Sequence, residues 1–301
     1  MKDLKTPKQL RKEGWKGLNL KREPFESRSL GNSVFSGMVW LLALIAAIPL
    51  LSIIYMLLKH GGARLFSELL PVLTELPPAG FEMGGGIGPA IIGTLVMVAI
   101  ASTIAVPMGI LTAISIKILG KESKLARGAH FTAKVLTGFP SILSGVFVYA
   151  VLVIKFGYSA LAGGVALAVL MLPTIIIAAE EALGQVPKRM TDAAYGMGCT
   201  PTQVMWKITL PTALPGIMTG VMLAVAGAAG ESAPLLFTAL FSNYYLSHMN
   251  EPTASLSVLI YNFSGMPFDN QIELAWTASL VLVIIVLIFN LFARAISRKK
   301  N

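Results

Sequence analysis

The sequence predicts an all-α integral membrane protein of six transmembrane helices, with its N- and C-termini both cytoplasmic. Three observations carry that prediction. Of 301 residues, 55% are hydrophobic and 13% are charged, whereas a soluble chain carries about 25% charged residues. Several runs reach the roughly 20 apolar residues that a helix needs to cross about 30 Å of hydrocarbon. The segments between those runs also divide the basic residues unequally. Of 24 Lys and Arg, 21 fall in 1–33, 117–134, 180–212 and 294–301, and only Lys59, Arg64 and Lys155 fall on the opposite side. Lys and Arg are retained in cytoplasmic loops, so the asymmetry requires an even number of spans.

In chain order, residues 1–33 form a basic tail, read either as a loosely ordered segment held to anionic membrane lipid by charge or as an interfacial amphipathic helix. The first apolar run begins near Val34, after that tail, and is too long for a signal peptide. It reads as a retained span over 34–58. Segment 59–86 carries Lys59, Arg64, Glu68, Glu75 and Glu82 and ends in Gly84-Gly85-Gly86. That triplet lacks the Gly-Lys-Ser/Thr of a phosphate-cradling loop and reads as a turn re-entering the membrane. Further spans are expected over 90–116 with a Pro107 kink, 135–154, 160–179 with Pro173, 213–241 and 274–293. The domain plan is therefore a tail (1–33), a six-helix domain (34–296) with a cytoplasmic loop at 180–212, and a short tail (297–301).

Several functions are excluded. The net charge of +9 sits in the tail and at span ends rather than in one patch, so no nucleic-acid partner is expected. The single cysteine, Cys199, rules out an internal disulfide, and no Cys/His cluster offers metal ligands. Ser141 and Ser232 have no His or Lys partner within the spans, and no His-Glu-x-x-His exists, which argues against an intramembrane enzyme.

The cytoplasmic segment 180–212 carries the strongest pattern. Pro187 suits a first helical turn, and Met190, Ala194 and Met197 share one face. Gly198 suits a left-handed helix end. Thr200-Pro201-Thr202-Gln203 then reads as an N-cap, a first-turn proline and a capping-box partner. The product is helix, sharp turn, short helix. A lipid-facing connector would fit that amphipathicity equally well. The residue pattern separates the two readings. Asp192-Ala193-Ala194, three residues, Gly198, nine residues, then Ile208-x-Leu210-Pro211 resembles the EAA loop of ATP-binding-cassette importer permeases, with Asp192 in place of the usual Glu. The resemblance implies the MetI-like, type I importer permease fold, and a loop that fits a cleft in a separate cytoplasmic ATPase. Asp192, Ala193, Ala194, Gly198, Ile208, Leu210 and Pro211 would be its docking residues. The chain has no Gly-x-x-x-x-Gly-Lys-Ser/Thr. It is therefore expected to be non-catalytic and to bind no cofactor or metal, ATP and Mg being used by the partner ATPase.

The fifth apolar run supplies a second clue. Gly216 and Gly220 have the small-x-x-x-small spacing that lets helices approach closely. Glu231 is the only ionisable residue in the run, and a carboxylate there is costly unless it is paired or faces water. It either serves transport or is satisfied by a neighbouring helix for packing. The run Gly230-Glu231-Ser232-Ala233-Pro234-Leu235-Leu236-Phe237-Thr238-Ala239 is similar to a signature of phosphate importer permeases of the PstA type. Gly93-Thr94, Pro107-Met108-Gly109-Ile110, Thr137-Gly138-Phe139-Pro140-Ser141 and Ala275-Trp276 agree with it. That resemblance implies a permease subunit of an ATP-driven phosphate importer in a prokaryotic cell membrane. Its partners would be a second permease (PstC type), an ATPase dimer (PstB type) and an extracytoplasmic phosphate-binding protein (PstS type). The substrate path would include Glu231, Ser232, Thr94 and Ser141. In one departure, Gly227 stands where the PstA type commonly has Arg. The cationic contact then falls to the partner permease, or neutral donors replace it. The rival readings are import of another oxyanion, such as molybdate or sulfate, or a secondary transporter.

Overall fold

The computed structural model describes residues 27–120 and 123–298, and side chains within 31–120 and 123–291. The expected basic tail therefore lies outside the described residues up to 26, as does the end of the C-terminal tail from 299. The chain divides into two compact units, residues 1–55 and 56–301. In the first, the described residues belong to helix α1 (Ser27–Met56), which holds Pro49 inside it. That helix takes in 27–33, which the plan assigned to the tail.

In the second unit the chain continues through a wide π turn (Leu57–Gly61) and two short helices, α2 (Gly62–Ser67) and α3 (Leu69–Thr74). The loop that follows closes on itself through Arg64. Its guanidinium donates to the carbonyls of Gly84 (2.6 Å) and Asn270 (3.1 Å) and lies 3.9 Å from the Glu273 carboxylate. Gly84 and Gly85 have φ of +81° and +75°, a region that only glycine enters at little cost. A turn was expected at this triplet, and positive φ is the reason it needs glycine.

The core is a stack of long helices: α4 (Gly88–Leu119), α8 (Ala160–Gly184), α11 (Leu210–Gly230) and α14 (Asp269–Arg298). Their packing runs through small residues. Gly109 seats Ile175, and a Cβ at Gly216 would come within 2.9 Å of the Ala182 side chain. One turn further, Gly220 has no room for a Cβ against Ala178. The glycine pair thus joins α11 to α8, as small-residue interfaces do where lipid supplies no hydrophobic drive between helices. Proline is carried inside these helices at Pro107, Pro173 and Pro215.

Among the described residues, five helical stretches are long and apolar enough to cross a membrane: 31–67, 88–119, 160–184, 201–230 and 269–291. A sixth is formed only if a bent pair counts as one span. The span expected over 135–154 is in fact α5 (Lys124–Thr137) and α6 (Ser141–Val148), bent by 108° at Gly138-Phe139-Pro140. A π turn (Tyr149–Val153) and α7 (Ile154–Phe156) prolong α6. Proline disfavours the helical region for the residue before it, and at Phe139 the helix gives way.

The span expected over 213–241 also differs at both ends. It starts with α10 (Pro201–Val204), continues through a π turn (Met205–Thr209) into α11, and stops at Gly230. After two non-helical residues, α12 (Ala233–Thr238) follows. Continuing the helix would drive the Pro234 ring into the Gly230 carbonyl. A loop then leads to α13 (Leu256–Ser264).

Candidate functional site

On the cytoplasmic side, the elbow is built by helix caps. Helix α9 (Lys188–Gly196) ends where Gly198 adopts φ +83°. The Cys199 N–H reaches the Ala194 carbonyl (3.1 Å) and the Gly198 N–H reaches that of Tyr195 (2.9 Å). Those two bonds form a Schellman motif, which satisfies carbonyls that a helix end leaves orphaned. Immediately after it comes the capping box. The Gln203 N–H donates to Thr200 Oγ1 (3.3 Å) and the Thr200 N–H to Gln203 Oε1 (2.9 Å). The chain therefore turns within a few residues and does so rigidly.

Asp192, Ala193, Gly198 and Pro211 are exposed, and Ile208 and Leu210 are half-buried. Ala194 is 1% exposed, buried with Val204 and Met205 inside the elbow. It thus leaves the face shared with Met190 and Met197, which are exposed. Just before the elbow, His130 Nδ1 lies 2.6 Å from Glu180 Oε2 and ties α5 to α8. No i, i+4 relation announces a pairing fifty residues apart.

Higher up, the two helix breaks meet. Gly145 of α6 lies so close to Pro234 of α12 that a Cβ would come within 2.7 Å of its Cα. Between them opens a cleft of about 400 Å³ whose lining includes Thr137, Ser141, Thr174, Gly227 and Glu231. Thr174 lies 14 residues into α8, about 21 Å along its axis at 1.5 Å per residue. The cleft therefore sits midway along the spans. The non-helical backbone there is self-satisfied: the Glu231 N–H donates to Ala228, Leu235 and Leu236 N–H to Ser232, and Ser257 Oγ to the Glu231 carbonyl (2.9 Å). Irregular backbone at membrane depth is tolerated where it lines such a cavity.

Glu231 and Ser141, named from sequence as substrate-path residues, are thus brought together. Thr94 and Ser232 are not. Thr94 is 3% exposed, donates to the Ala90 carbonyl and accepts the Leu256 N–H, both at 2.8 Å. Its hydroxyl fastens α13 to α4. Ser232 starts α12 outside the cleft lining. Glu231 stands at a helix joint rather than inside a span, and its carboxylate has no partner among the described residues. Thr137 and Thr174 were missed as lining residues. Thr174, the hydroxyl next to Pro173 in an otherwise apolar run, was the available signal.

A helical membrane unit with no ATP-binding motif, a rigid cytoplasmic elbow and a mid-span cleft defines the membrane subunit of a transporter driven from outside the chain. Comparison with known proteins specifies which kind. The family model of the binding-protein-dependent transport system inner membrane component matches residues 105–301, and this chain belongs to that family. It is 34% identical over 278 residues to the phosphate transport system permease protein PstA of Pasteurella multocida, covering 92% of this chain and 98% of the relative. The PstA of Haemophilus influenzae is 36% identical over 92% of this chain and 97% of its own length. A probable PstA of Methanocaldococcus jannaschii is 36% identical over 86% and 91%.

Among solved structures, a bacterial alginate ABC transporter in complex with its pentasaccharide-bound periplasmic protein contains a chain of the same fold. The TM-score is 0.61 at 16% identity, covering 92% of this chain and 98% of that one. The MetNI methionine transporter in an inward-facing conformation gives 0.56 at 24% identity, over 71% and 94%. The fold is that of a MetI-type importer permease. Family membership makes the chain a non-catalytic, multi-pass permease subunit that works with a separate ATPase and a binding protein.

Proposed function

We propose that this chain is the PstA-type subunit of an ATP-driven phosphate importer in a prokaryotic cell membrane. It forms half of the translocation path beside a PstC-type permease, above a PstB-type ATPase dimer and below a PstS-type phosphate-binding protein. ATP and Mg are used by the ATPase, and this chain holds no cofactor. The extent of the similarity to phosphate permeases supports the cargo.

One geometric observation carries the mechanism. The helical path from Pro201 to Gly230 begins in the elbow and ends at Glu231 in the cleft. When ATP closes the ATPase dimer, the elbow is displaced with Asp192, Ala193 and Gly198 at its exposed surface. The motion passes along α11 and, through the Gly216–Ala182 approach, to α8. Both helices line the cleft, so its access changes side. ATP thereby redistributes conformational populations and no bond in the substrate changes.

Uptake of radiolabelled phosphate by phosphate-starved cells lacking this chain tests the reading. Uptake should be lost, and should also be lost with an ATPase-dead partner while the proton gradient stays intact. Uptake indifferent to the deletion would remove phosphate as the cargo. Uptake that survives without ATP hydrolysis would point to a secondary transporter.

A further inference from the structure

We infer that the cleft between the two helix breaks selects a tetrahedral oxyanion that still carries a proton. Glu231 accepts that proton's hydrogen bond, and Ser141 and Thr174 donate to the bare oxygens. The inference rests on the phosphate-permease reading and adds the chemistry by which this subunit chooses its ion.

The hydrogen-bond inventory of the spans singles out these groups. Thr94, Thr103, Thr112, Thr219, Thr238 and Thr277 each spend their proton on the carbonyl four residues earlier. Thr137, on the cleft wall, donates to Lys134 at 2.7 Å. The hydroxyls of Ser141 and Thr174 make no hydrogen bond among the described residues, so both protons are available to the cleft. Among the described residues, the Glu231 carboxylate is likewise unpartnered and no Lys, Arg or His lines the cleft. Its end is made more negative by the carbonyls of α11, which stops beside it.

Such a site combines an acceptor with donors on one lining. An ionised carboxylate only accepts. Sulfate, fully deprotonated, offers acceptors alone. It would set like charge against Glu231 with no proton to share and no cation to offset it. Phosphate and arsenate keep at least one O–H near neutral pH and can satisfy both the acceptor and the donors. There is room for the ion. A Cβ at Gly227 would meet nothing within 4 Å, and the 400 Å³ of the cleft accommodates on the order of ten water volumes of about 30 Å³. The ion is held without complete dehydration.

The test uses the whole transporter complex purified in lipid nanodiscs without its binding protein, so that upstream selection is absent. Retention of radiolabelled phosphate is measured against competing arsenate, sulfate and monofluorophosphate. The last has the size of phosphate but lacks its O–H at neutral pH. Arsenate should compete at concentrations similar to phosphate, while sulfate and monofluorophosphate should need roughly a hundredfold more, because each leaves the carboxylate unpaired. Glu231→Gln, whose amide can also donate, should shrink that gap by about tenfold or more. Thr174→Val should weaken phosphate retention about fivefold and leave the gap intact.

Equal competition by sulfate in the native complex, or an unchanged gap in Glu231→Gln, would overturn the inference while leaving phosphate transport standing. If Glu231→Gln fails to assemble, the native competition series and Thr174→Val decide the matter. A complex that retains no phosphate, from cells whose uptake nevertheless depends on this chain, would also overturn it. Loss of that dependence would instead remove the parent reading.

Discussion

Replacing Thr94 by Val separates a fastening role from a transport role. Valine keeps the shape of the side chain and removes one oxygen. The Ala90 carbonyl loses only an extra hydrogen bond. The Leu256 N–H loses its one partner: as the first residue of α13 it has no acceptor within its own helix. Leaving a buried donor unsatisfied costs about 1–3 kcal/mol. At about 2–4 °C per kcal/mol for a chain of a few hundred residues, the apparent Tm should fall by about 2–12 °C. The assay is thermal unfolding of the complex in nanodiscs at a fixed scan rate, together with uptake per assembled complex. Uptake per complex should stay within about twofold of native, and Thr94→Ser, which keeps the oxygen, should restore Tm. An unchanged Tm with lost uptake would refute the fastening role and return Thr94 to the ion path.

Gly198→Ala should strain the elbow by about 1–2 kcal/mol, because φ is +83° although the space around it is open. Membrane insertion should be native and the ATP hydrolysed per phosphate imported should rise, so an unaltered ratio would count against the docking role. Gly227→Arg should be accommodated, since its side chain enters open space beside Glu231. The complex should assemble at native yield by size-exclusion chromatography, and misassembly would mean that this wall is packed against another subunit.

Much of the molecule was legible because local chemistry dictates it. The elbow's turn follows from Gly198, and its second helix follows from Thr200, Pro201 and Gln203. Each acts within a few residues of itself, so spacing alone predicts it. Three of the spans, found over 88–119, 160–184 and 269–291, were placed to within a few residues by apolar length. The breaks were not. Pro107, Pro173 and Pro215 lie inside helices, whereas Pro140 and Pro234 stand at the starts of new helices, just after the preceding ones have stopped. Identical residues gave opposite outcomes because neighbouring helices decide whether a proline's lost hydrogen bond is tolerated or the chain turns away. The same gap explains Thr94. A hydroxyl facing a substrate and one receiving an amide 162 residues away look alike in sequence.

The sequence by itself determined that this chain lies in a membrane, which side its basic loops occupy, and that it bends sharply where an external ATPase could grip it. Hydropathy, charge and capping are properties of short stretches and need no partner to be read. The tertiary structure alone decided that the breaks at 138–140 and 231–232 meet, that Glu231 faces a cleft with Ser141 and Thr174, and that the helix leaving the elbow is the one that reaches it. Those facts depend on glycine-mediated approaches between helices far apart in the chain, and pairwise packing at such separations leaves no periodic trace in sequence.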